Sequence, residues 1–332
     1  MRRAIAVAER VRMWTSPNPW VGCVVVTADG RWFEGATAPP GGAHAEVSAL
    51  SAAGDRSDGS TLYATLEPCS HHGRTPPCTD RVIQAGVARV VIGVTDPDPH
   101  VAGRGIARLR AVGIEVVEGV LADEIGAQLR PYLHHRTTGR PFVVLKLAST
   151  LDGRTAAPDG TSRWITSSEA RRAVHRLRAE SDAICVGRTT VLADDPALTV
   201  RHVEGPDPRR VVLGAVPEGA AAQPCLSWTG ELDALLDHLG GEGVLQLLVE
   251  GGATTAAAFH RAGLVDRYVL HLAPALFGGD DARPLFGGLG VPTIERLWRG
   301  RVVLLRMLGP DIEIVVEPSD VPTEACSVRS TS

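Results

Sequence analysis

His44, Glu46, Cys69 and Cys78 are the residues of this chain whose types and spacing carry the most definite chemistry. They stand in His44-Ala45-Glu46, Leu66-Glu67-Pro68-Cys69 and Pro76-Pro77-Cys78. One imidazole and two thiolates supply three ligands of a tetrahedral zinc and leave a fourth position for water. Bound zinc brings the pKa of that water toward neutrality and makes hydroxide available as a nucleophile. Glu46, two residues past His44 at a helix start, can reach the water without ligating the metal and pass its proton to a departing amine. The same residues allow two blander readings, a structural zinc with His71 or His72 as fourth ligand, or a Cys69–Cys78 disulfide. A structural site has no use for Glu46, and a disulfide suits an exported chain.

Together, His-x-Glu and Pro-Cys make the signature of zinc nucleobase deaminases. The chain departs from it between the cysteines, where the eight residues Ser70 to Pro77 replace the usual two. The insertion is expected to shape a substrate pocket, with His71, His72 and Arg74 as donors to a phosphate. Upstream, Pro17-Asn18-Pro19-Trp20-Val21-Gly22 holds Asn18 between two prolines just before a strand. A rigid amide there can read a heterocycle's edge, although the pattern is also that of a plain turn.

The elements that must position these groups alternate. Apolar and β-branched runs predict strands at Val21–Thr27, Arg31–Thr37, Thr61–Leu66, Arg89–Val94 and Ile114–Val117, with Ala28-Asp29-Gly30 as a hairpin turn. Helical patterns cover His44–Ala53, Thr79–Gln84 (stopped by Gly86), Gly105–Ala111 and Leu121–Leu129. Pro131 to Pro141 is rich in polar and breaker residues and reads as a linker. A second α/β series then has strands at Phe142–Leu147, Ala183–Val186, Arg210–Leu213, Val244–Glu250, Tyr268–Ala273, Val302–Met307 and Ile312–Val316. Its helices are Ser168–Ala179, Glu231–Leu239 and Thr254–Ala262. The expected organisation is a metal-dependent domain over 1–140, a second α/β domain over 141–317 and a polar, disordered tail over 318–332.

The 332 residues hold 34 Lys+Arg against 38 Asp+Glu, a net charge of −4, which argues against a nucleic-acid or membrane-surface partner. No apolar run is long enough to span a bilayer, and the N-terminal stretch has no signal-peptide core, so a soluble cytoplasmic protein is expected. Lys146 is the only lysine. It ends an apolar strand, either as a snorkelling surface group or as a cleft residue that binds sugar hydroxyls. Glu250-Gly251-Gly252-Ala253-Thr254-Thr255 runs from strand to helix and could bring backbone N–H groups to a cofactor phosphate. It is not G-x-G-x-x-G, which disfavours a Rossmann fold.

These residues carry a family resemblance. Leu66 to Cys78, Pro17 to Gly22, His44 to Val47 and Asp96 to Gly105 resemble the bifunctional riboflavin-biosynthesis deaminase/reductase family. So do Leu145 to Arg154, Ser162 to Ser167, Thr190 to Thr199 and Glu250 to Gly252, in collinear order over nearly all of residues 1–317. The resemblance implies a cytidine-deaminase-like α/β/α domain followed by a dihydrofolate-reductase-like α/β domain. It implies zinc-dependent hydrolytic deamination of 2,5-diamino-6-(5-phosphoribosylamino)pyrimidin-4(3H)-one. NADPH reduction of the ribosyl group would then give 5-amino-6-(5-phosphoribitylamino)uracil.

It also implies roles for single residues. Glu46 and Lys146 would be catalytic, His44, Cys69 and Cys78 metal ligands, and Asn18, His71 and Arg74 contacts to the deaminase substrate. Ala148, Trp164, Thr190, Asp194 and the run Gly252, Ala253, Thr254, Thr255, Ala256, Ala257, Ala258 would bind NADPH. Ser162, Arg178, Leu198, Arg201 and Glu250 would bind the reductase substrate. A homo-oligomer is implied as well. Gly214-Ala215-Val216-Pro217 stands where members more often have Asp-Ser, and the stretch to Glu231 is short, so a loop or strand of the second domain is expected to be missing. That departure motivates a second reading, a deaminase with a weakened reductase half. A third is a non-catalytic nucleotide-binding protein with structural zinc. The acidic charge disfavours tRNA as substrate and the insertion disfavours free nucleosides.

Overall fold

The computed structural model describes residues 1–71, 76–99 and 101–319. His72, Arg74, His100, Cys326 and all but the first two residues of the expected tail lie outside them. The chain forms two compact units, Met1–Phe142 with Leu236–Gln246, and Val143–Leu235 with the chain from Leu247 onward.

The first unit contains, in order, α1 (Arg2–Glu9), β1 (Gly22–Val26), β2 (Trp32–Ala36), α2 (Ala45–Ala53), β3 (Thr61–Leu66), α3 (Cys78–Gln84), β4 (Arg89–Val94), α4 (Arg104–Ala111), β5 (Glu115–Val117), α5 (Ala122–Gln128) and α6 (Arg130–Thr138). The strands form one sheet in the order β2-β1-β3-β4-β5. β1 and β2 make the expected hairpin, Val26 opposite Trp32, with Gly30 at φ +80° in the turn. β3, β4 and β5 are parallel.

Side-chain alternation assigns the faces. A Cβ on Gly22 would strike Ala4 O of α1 at 1.9 Å, and one on Gly35 would strike Ala45 O of α2 at 2.2 Å. Gly22 pairs with Ala36 and Gly35 with Cys23, so the two glycines open onto opposite faces of the sheet, with α1 on one side and α2 on the other. Leu50, Leu62, Ile92 and Leu109 are fully buried in the core of this unit. Gly35 therefore sets how closely the helix bearing His44 and Glu46 approaches the sheet. Gly35→Ala is expected to destabilise this unit by about 3 kcal/mol through overlap with helix backbone. The check is the denaturation midpoint together with the zinc retained after purification.

The second unit contains β6 (Phe142–Thr150), β7 (Arg154–Ala156), α7 (Ser168–Ala179), β8 (Ala183–Gly187), α8 (Arg188–Asp194), β9 (Arg209–Leu213) and β10 (Leu226–Trp228), and, after α9 (Leu232–Gly241), most of which belongs to the first unit, β11 (Gln246–Val249), α10 (Ala253–Arg261), β12 (Arg267–Ala273), β13 (Arg283–Pro284), β14 (Gly300–Leu308) and β15 (Asp311–Pro318). Its main sheet has eight strands in the order β10-β9-β8-β11-β6-β12-β15-β14. β12 is parallel to β6, and β15 and β14 close the sheet as an antiparallel pair. Ser167 caps α7 by accepting from Ala170 N–H.

Two expectations are corrected. The proposed linker is a helix, α6, because Pro131 falls in its first turn, where a missing N–H costs nothing, and Gly139 ends it at φ +75°. The short stretch after Leu213 supplies one strand, β10, whose Leu226, Ser227 and Trp228 pair with Val211, Val212 and Leu213. Lys146 lies in the middle of β6 rather than at its end, since the strand continues through Ala148 to Thr150.

Candidate functional site

His44 is the N-cap of α2, Cys69 follows β3, and Cys78 opens α3. A parallel strand followed by a helix thus brings together three residues that are far apart in the chain. The ligand atoms of all three lie within 4.8 Å of one another. His44 Nδ1 is 3.6 Å from Cys69 Sγ and 3.2 Å from Cys78 Sγ. A tetrahedral zinc with bonds of about 2.0 Å to nitrogen and 2.3 Å to sulfur separates such a pair by about 3.6 Å, so the cluster fits the ion. The Cys69 thiol is lowered to about 4, first by its hydrogen bond with the Cys78 thiol and then by His44. Cys78 is pushed up, first by that same hydrogen bond and then by burial. The proton that the two sulfurs share is what a divalent cation would displace on binding. The described cysteines are free, so there is no Cys69–Cys78 disulfide.

Glu46, in the first turn of α2, is 4% exposed. Burial, then the negative charge at Cys69, pushes its carboxyl up to about 7. It shares a cavity of about 270 Å³ with Asn18, His44, Cys69 and His71. The structure therefore brings Asn18 and His71 to the cluster. Arg74 lies outside the described residues.

The cavity also holds residues that sequence reading did not single out. Glu67 is buried and accepts from four backbone N–H groups, those of Asp96, Gly103, Gly105 and Ile106, at 2.9–3.3 Å. A Cβ on Gly105 would lie 2.2 Å from Pro68 O, so only glycine allows this approach. One carboxylate thus binds the 96–106 segment to the strand end that leads into Cys69, and places Asp96 and Asp98 in the cavity wall. Tyr132 of α6 donates its hydroxyl to Asp96 Oδ2 at 2.9 Å. The spacing of Glu67 to Cys69 was visible in the sequence, but its four partners are not local. Glu67→Gln turns one acceptor into a donor facing donors. It is expected to cost about 3 kcal/mol in chemical denaturation and to raise the deaminase KM.

In the second unit, Arg178 of α7 and Glu250, just after β11, form a bidentate pair, Nε to Oε1 at 2.7 Å and Nη2 to Oε2 at 2.9 Å. Burial alone would raise Glu250, but the bonds from Arg178 outweigh it and hold the carboxyl low. Lys146 lies within the field of this pair. Burial lowers its ammonium, Glu250 opposes that and Arg178 adds to it, so Lys146 is not a snorkelling surface group. Arg201 donates its backbone N–H to His175 Nδ1 at 3.1 Å and its guanidinium to Thr199 Oγ1 at 3.0 Å. Buried Leu198 holds φ +56°, a strained conformation beside these residues. Ala148 is opposite His271 on β12. His271, absent from the sequence reading, bonds Glu313 at 2.9 Å.

Gly252 is the N-cap of α10, and a Cβ built on it would lie 3.6 Å from Thr190 Oγ1. Asp194 Oδ1 accepts from Arg163 at 3.3 Å, beside Trp164, which is 69% exposed. Thr190, near the start of α8, thus lies by the N-terminus of α10, whose free N–H groups can accommodate a cofactor phosphate, while Asp194, at the other end of α8, lies by Arg163 and Trp164. Ser162 lies in the loop just before Arg163 and Trp164.

Residues 1–94 match the model of the cytidine and deoxycytidylate deaminase zinc-binding region, and residues 141–312 match that of the RibD C-terminal domain. Riboflavin biosynthesis protein RibD of Escherichia coli K12 is 41% identical, over 94% of this chain and 96% of its own. The Mycobacterium tuberculosis H37Rv protein of the same name is 42% identical, over 94% of each. The chain belongs to the RibD family. Among solved structures, Acinetobacter baumannii RibD shares 37% identity over 96% of this chain and 97% of its own, at a TM-score of 0.90. A Thermotoga maritima structure described as a diaminohydroxyphosphoribosylaminopyrimidine deaminase/5-amino-6-(5-phosphoribosylamino)uracil reductase shares 35%, at a TM-score of 0.87. The RibD assignment bears out the expected fold, a cytidine-deaminase-like domain followed by the reductase domain. It makes the chain a two-domain deaminase and reductase of riboflavin biosynthesis. In this RibD chain the deaminase region holds the His44–Cys69–Cys78 cluster, and the reductase domain implies a nicotinamide cofactor. Among the described residues, no helix is long and apolar enough to cross a membrane.

Proposed function

We propose that the first domain deaminates 2,5-diamino-6-(5-phosphoribosylamino)pyrimidin-4(3H)-one and that the second reduces the product's ribosyl group, giving 5-amino-6-(5-phosphoribitylamino)uracil. The observation that carries this reading is the cluster of His44, Cys69 and Cys78 beside a cavity that a buried Glu46 lines. His44, Cys69 and Cys78 hold the zinc, which when bound supplies an activated water. Glu46 takes up a proton at its carboxylate and returns it to the departing amine, a role favoured by a carboxyl near neutrality. Asn18 orients the heterocycle, and His71 and Arg74 serve as donors to its phosphate.

In the second domain NADPH, when bound, supplies hydride to the ribosyl C1′. Ala148, Trp164, Thr190, Asp194 and the turn from Gly252 to Ala258 hold it. Arg178 and Glu250 fix each other's geometry and, with Ser162, Leu198 and Arg201, hold the sugar phosphate. Lys146 binds the ribose hydroxyls. The stretch that motivates the reading of a weakened reductase half supplies β10, paired in parallel with β9 at the sheet's edge.

We place the enzyme in the cytoplasm, supported by five described cysteines that remain free, and as a homo-oligomer. The support for assembly is the edge strand β14, which exposes Val302, Leu305 and Met307 at 56, 65 and 60%. The test is metal analysis with a parallel assay of both steps. One zinc per chain is expected, and removing it by chelation should abolish ammonia release while leaving NADPH oxidation on pre-deaminated substrate intact. Deamination that survives complete zinc removal would refute the assignment.

A further inference from the structure

We propose that Arg136 of α6 is a specificity residue of the deaminase site, where its guanidinium receives the substrate's phosphate; the proposal rests on the deaminase reading above. Arg136 lines the same cavity as Glu46 and Cys69. Its Nε is buried and donates to no acceptor among the described residues. Asp98 Oδ2 lies 3.7 Å away, close enough to pair in charge but too far to accept a hydrogen bond. The Arg136 side chain is 29% exposed, so its guanidinium is open to a ligand, while its Nε is a buried N–H that a ligand acceptor would complete.

Asp96 and Asp98 line the same cavity and repel a dianion, which leaves the Arg136 guanidinium as the favourable contact for a phosphate on this wall. Five N–H donors in a planar fork allow Arg136 to keep Asp98 on one edge and offer another to phosphate oxygens. The Tyr132 ring lies under the guanidinium, 5.0 Å from centroid to Cζ, and stiffens its plane. Tyr132 is in turn tied to Asp96. Arg136 thus selects substrate by its phosphate and leaves the chemistry at the ring to Glu46 and the metal ligands.

The experiment compares deamination of the phosphorylated ribosylaminopyrimidine with that of the same compound lacking its phosphate, using the full-length holoenzyme. Arg136→Gln is expected to raise KM for the phosphorylated substrate about 10- to 100-fold, as for loss of a charge-assisted contact, with the dephosphorylated substrate unchanged. Arg136→Lys, which keeps the charge but not the fork, should recover part of that loss. Deamination of the dephosphorylated substrate and NADPH oxidation by the second domain both report that the variant is folded. An equal loss on both substrates would overturn the proposal, because Arg136 would then only hold Asp98. So would no loss on either. A wild-type enzyme that deaminates neither substrate would overturn this proposal and the deaminase reading together.

Discussion

Glu46→Gln is expected to keep one zinc per chain and to lose deamination by about 100-fold or more, the range for removal of a positioned general acid–base. The substitution preserves shape and removes only the ability to take up and return a proton. His44, Cys69 and Cys78 are untouched, so metal content should equal that of the wild type. Glu46 sits in the first turn of α2 with Ala45 and Ala49 fully buried on either side, and an amide of the same size fills its site. The loss should therefore appear in kcat with little change in the denaturation midpoint. NADPH oxidation on pre-deaminated substrate should be unaffected. Normal turnover by the variant would remove Glu46 from the mechanism. Loss of zinc along with activity would make Glu46 a structural partner of the cluster instead.

Lys146→Ala is the second large effect. Reduction should fall by about 100-fold or more, as for loss of one preorganised charged group at a reacting centre, while deamination remains normal. Lys146 is half-buried on β6 in the field of Glu250 and Arg178. Its removal leaves the Arg178–Glu250 pair intact, because that pair is joined by two short bonds of its own. The variant should accordingly bind NADPH with unchanged affinity and fail in turnover. Assaying both steps on one preparation separates the outcomes. Loss of reduction alone supports a role at the sugar, whereas loss of both steps would mean that Lys146 holds the fold.

The legible part of this structure was local. Strand Thr61–Leu66 and helix Ser168–Ala179 agree with their sequence patterns to the residue, because an alternation or an amphipathic repeat needs no distant partner to be recognised. The zinc ligands were legible for a different reason. Three residues of two scarce types, beside a Glu two positions past the His, leave few other uses, and the structure brings them within bonding range of one ion. What escaped was either disguised or long-range. Pro131, Thr137, Thr138 and Gly139 read as breakers, yet Pro at a helix start and Gly at a helix end are compatible with the helix between them. That error removed Tyr132 and Arg136 from consideration. Glu67 was quoted only as part of a motif, since its partners lie some forty residues on and are backbone atoms, which leave no trace in side-chain patterns. The pairing of Arg178 with Glu250 crosses 72 residues and follows only from the sheet order.

The most direct test of the account is the mass of the product. The purified zinc-loaded chain is supplied with the diaminopyrimidinone ribosyl phosphate, with and without NADPH, and the products are weighed by mass spectrometry. Without NADPH the product should have exchanged an amine for oxygen, and with NADPH the same product should carry two further hydrogens. Deamination in both reactions without added hydrogen would contradict an active second domain. An unaltered substrate in both would contradict the assignment of either step to this chain.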